Sequence, residues 1–174
     1  VTSEGSHLRK IGSYRGRGPL EWYHPSSLAE AHGMLYVTDS GNGRVQKINI
    51  TDGNDTVVGF ADRCGHELDK LNCPTGLALL EDRLFVSDYG SHRVVAFDAS
   101  VALGRDLSIP FLFEMGRKGI ASDAEGEFNH PRGLAEHANE LIVADVMNHR
   151  LQVFSRNGSF VRVIGSEGDS AGHF

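Results

Sequence analysis

Cysteine is almost missing from this chain: Cys64 and Cys73 are the only two in 174 residues, so no disulfide framework can hold the fold together. One bridge between them would close a short surface loop and contribute about 2–3 kcal/mol in the chain-entropy model. Two thiols fit the sequence equally well. The spacing Cys64-x-His66-x6-Cys73 matches no common zinc pattern. No apolar run approaches the ~18 residues that a membrane helix needs, so no membrane insertion is expected. A basic excess is also lacking, since 17 Lys and Arg face 23 Asp and Glu. That disfavours a general binder of nucleic acid or anionic membrane and leaves room only for a local basic face. Glycine-rich phosphate loops, Gly-x-Ser-x-Gly elbows and His-Glu-x-x-His motifs do not occur. The first residue is Val1 rather than Met, so the lack of a signal peptide leaves the compartment open. The sequons at Asn49, Asn54 and Asn157 lean towards a secreted setting, although Asn157-Gly158 is also hairpin-turn chemistry.

What the chain does have is repetition. Three stretches share one plan: PSSLAEAHGMLYVTDSGNGRVQKI from Pro25, PTGLALLEDRLFVSDYGSHRVVAF from Pro74 and PRGLAEHANELIVADVMNHRLQVF from Pro131. Asp39, Asp88 and Asp145 each lie 14 residues after the proline, and Arg44, Arg93 and Arg150 each lie 19 after it. Each unit reads as four short strands: Ser26 to Ala31, Met34 to Thr38, Val45 to Ile50 and Thr56 to Phe60 in the first, and Leu77 to Leu80, Arg83 to Ser87, Val94 to Asp98 and Ile109 to Glu114 in the second. No segment has a 3.6-residue apolar period. Four strands in about 45 residues, repeated in tandem, is the signature of a propeller blade. The expected fold is therefore all-β: a single partial propeller of four-stranded antiparallel blades, over about 22–60, 71–116 and 128–166. Gly5 to Ser13 parallels Gly158 to Ser166 and is expected to be a leading outer strand at 5–13. The Pro-to-Pro spacings of 49 and 57 place an eight-residue insertion around Ala99 to Leu107, between the third and fourth strands of the second unit. Pro110 marks that fourth strand as an edge, because proline lacks the ladder donor.

The repeat resembles the NHL-repeat family: an aromatic residue or Leu, then Pro-x-Gly-Leu-Ala, a strand ending in Asp, and a turn ending in Asn-x-Arg. Here it reads FNHPRGLA with LIVADVMNHRLQVF, LNCPTGLA with LFVSDYGSHRVVAF, and WYHPSSLA with LYVTDSGNGRVQKI. Ser27 replaces the glycine of the first repeat and Ser91 the asparagine of the second. The resemblance implies blades arranged around a central channel, commonly six to a ring. Val1 and the stop at Phe174, three residues before the next expected proline, suggest a piece cut from a longer propeller; a second copy of the chain is the other way to complete a ring.

Asp39, Arg44, Asp88, Arg93, Asp145 and Arg150 recur in every unit, so a structural role is expected of them rather than catalysis. Leu28, Leu77 and Leu134 are expected to pack between blades. Gly76 and Gly133 should permit close approach of neighbouring backbones. The loops before the first strand and between the second and third strands share one face. It should carry His24, His66, His92, His130 and His149 along with Tyr89, Val146 and Met147, with Ser26, Thr75 and Arg132 nearer the axis. Ser26, Thr75, Arg132, Tyr89, Val146, His92 and His149 are the candidate binding residues for a protein partner. The histidines are expected to be turn residues. The peptidyl-α-hydroxyglycine amidating lyases, with similar repeats, carry zinc histidines near the residue after the repeat proline; Ser26, Thr75 and Arg132 stand there instead, so no metal or cofactor is expected. The expected function is a non-catalytic binding or scaffold module for protein–protein recognition. The resemblance keeps two alternatives open: a metal-dependent lyase or hydrolase, and an RNA-binding propeller using the basic run Arg9, Lys10, Arg15 and Arg17.

Overall fold

The computed structural model describes residues 8–51, 53–61, 71–100, 108–165 and 168. Twelve strands are formed among them, in three four-stranded antiparallel sheets. The first holds β1 (Pro25–Ala31), β2 (Met34–Asp39), β3 (Arg44–Asn49) and β4 (Thr56–Ala61) in that spatial order. The second holds β5 (Pro74–Leu80), β6 (Arg83–Asp88), β7 (Arg93–Asp98) and β8 (Phe111–Gly116). The third holds β9 (Pro131–His137), β10 (Glu140–Asp145), β11 (Arg150–Ser155) and β12 (Phe160–Ile164). Each first strand starts at its repeat proline, where the missing N–H costs no ladder bond, and each carries a register shift within its first residues. A 3-10 turn follows each second strand, at Ser40–Asn42, Tyr89–Ser91 and Val146–Asn148.

Neighbouring sheets meet through β1, β5 and β9. Two apolar layers fill the gaps. Tyr36, Val45, Leu71, Leu77, Leu84 and Val95 lie between the first two sheets. Phe85, Val94, Phe128, Leu141, Val143 and Phe154 lie between the second and third. Leu71 and Phe128, each three residues before a repeat proline, are fully buried plugs in these layers.

Several expectations are revised. Leu8 to Ser13, the described part of the leading segment, forms no strand. A fourth strand needs a third strand to pair with, and among the described residues none stands beside it. Arg9 instead anchors the segment to the first sheet through Asp55 at 2.9 Å. Leu28 does not pack between blades: it is 68% exposed, whereas Leu77 is buried. The reason is positional, since among the described residues no sheet lies beyond the first on that side. Pro110 lies just before β8 rather than inside it, with its carbonyl accepting from Asp98 N at 2.8 Å, and β8 is an edge strand. Residues 101–107 of the insertion, as well as Cys64 and His66, lie outside the described residues, and with Cys64 the proposed Cys64–Cys73 bridge.

Candidate functional site

The recurring Asp and Arg form one unit in each blade. Their backbones face each other across the second and third strands, as Asp39–Arg44, Asp88–Arg93 and Asp145–Arg150. In all three, Arg Nε donates to Asp Oδ2 at 2.8 Å. The other carboxylate oxygen accepts the backbone N–H of Tyr23, Asn72 or Asn129, two residues before the repeat proline. Asn42 and Asn148 donate to Asp39 and Asp145 at 2.8 Å, and Ser91 takes the asparagine's place at Asp88. The remaining arginine nitrogens hold the loop that enters the blade: Arg44 donates to the carbonyls of Arg17, Gly18 and Glu21, and Arg150 to those of Asp123, Ala124 and Glu127. Arg93 donates to Glu114 of β8. These carboxylates are saturated with donors and walled off from solvent, which is the chemistry of a clasp.

A second clasp, which runs between blades, could not be read from the repeats. Thr38 Oγ1 donates to the Thr75 carbonyl at 3.2 Å, and Ser87 Oγ donates to the Arg132 carbonyl at 2.6 Å. Ser26 Oγ also donates to the Thr75 carbonyl, at 3.0 Å. Ser26, Thr75 and Arg132 thus line up on adjacent innermost strands. Gly76 is required there: a Cβ would sit 2.1 Å from the Arg132 carbonyl oxygen. A Cβ at Gly133 would make only ordinary contact, with Ala144 at 3.6 Å.

The histidines of this face occupy left-handed backbone positions. His24, Cys73 and His130, each just before a repeat proline, have φ near +56°, and His92 and His149 close the 3-10 turns where the first blade has Gly43. Histidine tolerates this conformation better than most residues, so the turn geometry alone accounts for their placement. Three candidate rings come together between the second and third blades. His92 and His130 pack edge to face with centroids 4.2 Å apart, and Tyr89 lies 4.6 Å from His130. His130 N–H donates to His92 Nδ1 at 3.2 Å, which fixes that nitrogen as an unprotonated acceptor. Val146 and His149 lie at the third turn, exposed, beside Met147. Among the described residues no group of three or more His, Cys, Asp or Glu is placed to hold a metal ion.

Burial, and then the neighbouring His130, holds the His92 imidazole below its usual range, with Asp145 opposing. A histidine depressed in the folded state contributes stability above its unfolded pKa of about 6.5, which is lost as pH falls through the folded value. Acidification from pH 7 to 5 is therefore expected to lower the melting temperature. His92→Asn, which tolerates the left-handed turn but does not titrate, should flatten that dependence. Identical pH profiles of the two proteins would show that His92 is not the sensor.

On the opposite face, the hairpin ends of the first two blades enclose a cleft of about 700 Å³, bordered by Tyr36, Lys47, Met34 and Leu79. Reasoning from the repeats did not anticipate it. The available signal was the break in pattern at Tyr36 and Lys47.

The described sheets, each of four antiparallel strands and joined through their innermost strands, are blades of a β-propeller, and the structural neighbours of the chain are β-propellers. The NHL repeat model matches residues 71–97 and 128–154, which hold the first three strands of the second and third blades. The first blade, where Ser27 replaces the repeat glycine, lies outside the match. Two of the three blades thus carry NHL repeats, and the chain is similar to the NHL-repeat propellers. It is 51% identical over 37 residues to Protein brain tumor of Drosophila melanogaster, covering 21% of this chain and 4% of that protein. It is 43% identical over 58 residues to RING finger protein nhl-1 of Caenorhabditis elegans, covering 33% of this chain and 6% of that protein. The matched stretches are thus a small fraction of those relatives. Among solved structures, Kuenenia stuttgartiensis hydrazine synthase superposes with a TM-score of 0.61 at 15% identity, over 95% of this chain and 39% of that one. This likeness concerns the fold alone. None of the described helices is long and apolar enough to cross a membrane.

Proposed function

We propose that this chain is a non-catalytic recognition module that takes a protein partner on the face carrying the inter-blade loops and 3-10 turns. The observation supporting this reading is the exposure of Val146 and Met147, 39% and 51%, at the tip of a turn. Nothing in the blade's own packing requires apolar side chains there, since Ser40 and Gly41 fill the same turn in the first blade. The scaffold residues of this face, Asp145 and Arg150 below the tip, are committed to internal bonds. Tyr89, His92, His149, Ser26, Thr75 and Arg132 extend the contact surface across the three blades, on a rigid support that suits recognition by variable loops. Further blades, from a second copy or from a longer protein, complete the ring.

A photo-crosslinker placed at Met147 should capture one protein species. The double variant Tyr89→Ala/Arg132→Ala should weaken binding of that species by about tenfold or more with an unchanged melting temperature, as for interface anchors. Unaltered affinity removes this face from consideration. A second reading, an RNA surface, draws on Arg15, whose guanidinium lies 4.0 Å over the Tyr23 ring, and on His24, whose ring is tilted against Tyr23 at 4.5 Å. It requires salt-sensitive affinity that falls when Arg15 and Arg17 are neutralised.

A further inference from the structure

One cross-strand pair distinguishes the first blade from the others. Phe85 faces Ala96 in the second blade and Ile142 faces Val153 in the third, but the same register places Tyr36 opposite Lys47 in the first. Both polar side chains are almost fully buried, at 2% and 5% exposure. A break in a repeated apolar pattern is where function is to be sought.

We propose that the cleft between the first two blades binds a small organic monocarboxylate with an apolar tail. Tyr36 Oη and Lys47 Nζ converge on one acceptor, the Ala99 carbonyl, at 3.4 Å each, the outer limit of a hydrogen bond. A carboxylate entering beside that carbonyl accepts a hydrogen bond from both, in a setting where charge-assisted bonds are strong. Burial, with Asp98 adding to it, pushes the Tyr36 hydroxyl up to about 12, so it stays a donor throughout the physiological range. Burial holds the Lys47 ammonium below its usual range, and Asp98 offsets part of that effect. The tail lies along Met34, Leu79 and Ala31. The mouth does not repel an anion strongly: Glu81 and Asp82 are both engaged by Arg156, at 2.8 and 2.6 Å, and His32 stands beside them. A second carboxylate at the far end of the tail would have to lie against Met34, Leu79 and Ala31, and the cost of burying that charge selects a monocarboxylate over a dicarboxylate. The proposal uses no feature of the partner face and stands or falls apart from it.

Octanoate, octanamide and suberate are the probes, titrated into the whole chain by calorimetry with amide chemical shifts as a second readout. Octanoate is expected to bind and to shift amides around Ala31, Tyr36 and Ala99. Octanamide should bind about tenfold more weakly through the loss of a charge-assisted bond, and suberate about tenfold more weakly because its second charge meets the apolar lining. Tyr36→Phe, which installs the residue of the second blade, should weaken octanoate about threefold, and Lys47→Val, which installs that of the third, should abolish its advantage over octanamide. Octanoate that fails to bind, that binds no better than octanamide, or that shifts only the turn-tip face overturns the proposal. The amide comparison and Tyr36→Phe keep it testable if Lys47→Val does not fold.

Discussion

Arg93→Met is expected to destabilise the protein by about 3–5 kcal/mol at neutral pH, the cost of leaving one partner of a buried ion pair alone. Against a typical domain stability of about 5–15 kcal/mol this threatens folding outright. Arg93 has no exposed surface, bonds Asp88 at 2.8 Å and also reaches Glu114. Burial already pushes the Asp88 carboxyl above the usual carboxylate range, and this outweighs the bonds from Arg93, Asn72 and Ser91 that pull it down. Without Arg93 the carboxyl rises further. A carboxyl raised in the folded state contributes stability below its unfolded pKa, and that contribution is lost as pH rises through the folded value. The damage should therefore be largest at pH 7 and shrink towards pH 4. Asp88→Asn added to Arg93→Met should recover part of the loss, since removing both charges leaves nothing uncompensated. Urea denaturation of the three proteins at both pH values is the measurement. A loss below about 1 kcal/mol, or one independent of pH, would mean that the clasp is an ordinary surface-grade ion pair.

The chain of 174 residues is expected to associate rather than behave as an 18.9 kDa monomer. Leu77 is buried against the preceding blade, but its counterpart Leu28 lies in water at 68% exposure. At the other end, Val161, Val163 and Ile164 of β12 are 44%, 37% and 39% exposed. Two apolar edges on one molecule drive association. Sedimentation equilibrium at micromolar concentration should show dimers or larger species, and Leu28→Asp should shift the distribution towards monomer. A monodisperse monomer with a cooperative melt would show that both edges are already covered.

Some of the site was present in the sequence without being readable as such. Gly43, His92 and His149 align one residue before the repeat arginine, and a glycine in that column marks a left-handed position. That column supports the expectation that the histidines are turn residues without reference to metal chemistry. Tyr36 and Lys47 stand out against Phe85, Ala96, Ile142 and Val153 once the units are aligned, but that they form a cleft depends on where Ala99 and Leu79 of the second blade come to rest.

The sequence by itself determined the three-unit plan, the strand order within each unit and the fixed spacing of Asp and Arg. These are local: a period-2 apolar pattern, turn residues at fixed offsets and a five-residue separation across one tight turn define them without reference to distant chain. The tertiary structure decided which of the expected residues join one blade to the next, and added others. Thr38 and Ser87 donate across the interface, Gly76 gives way to the Arg132 carbonyl, and Leu28 is left exposed where Leu77 is buried. Each of these depends on how closely two sheets approach, and that distance is set by the packing of side chains far apart in sequence.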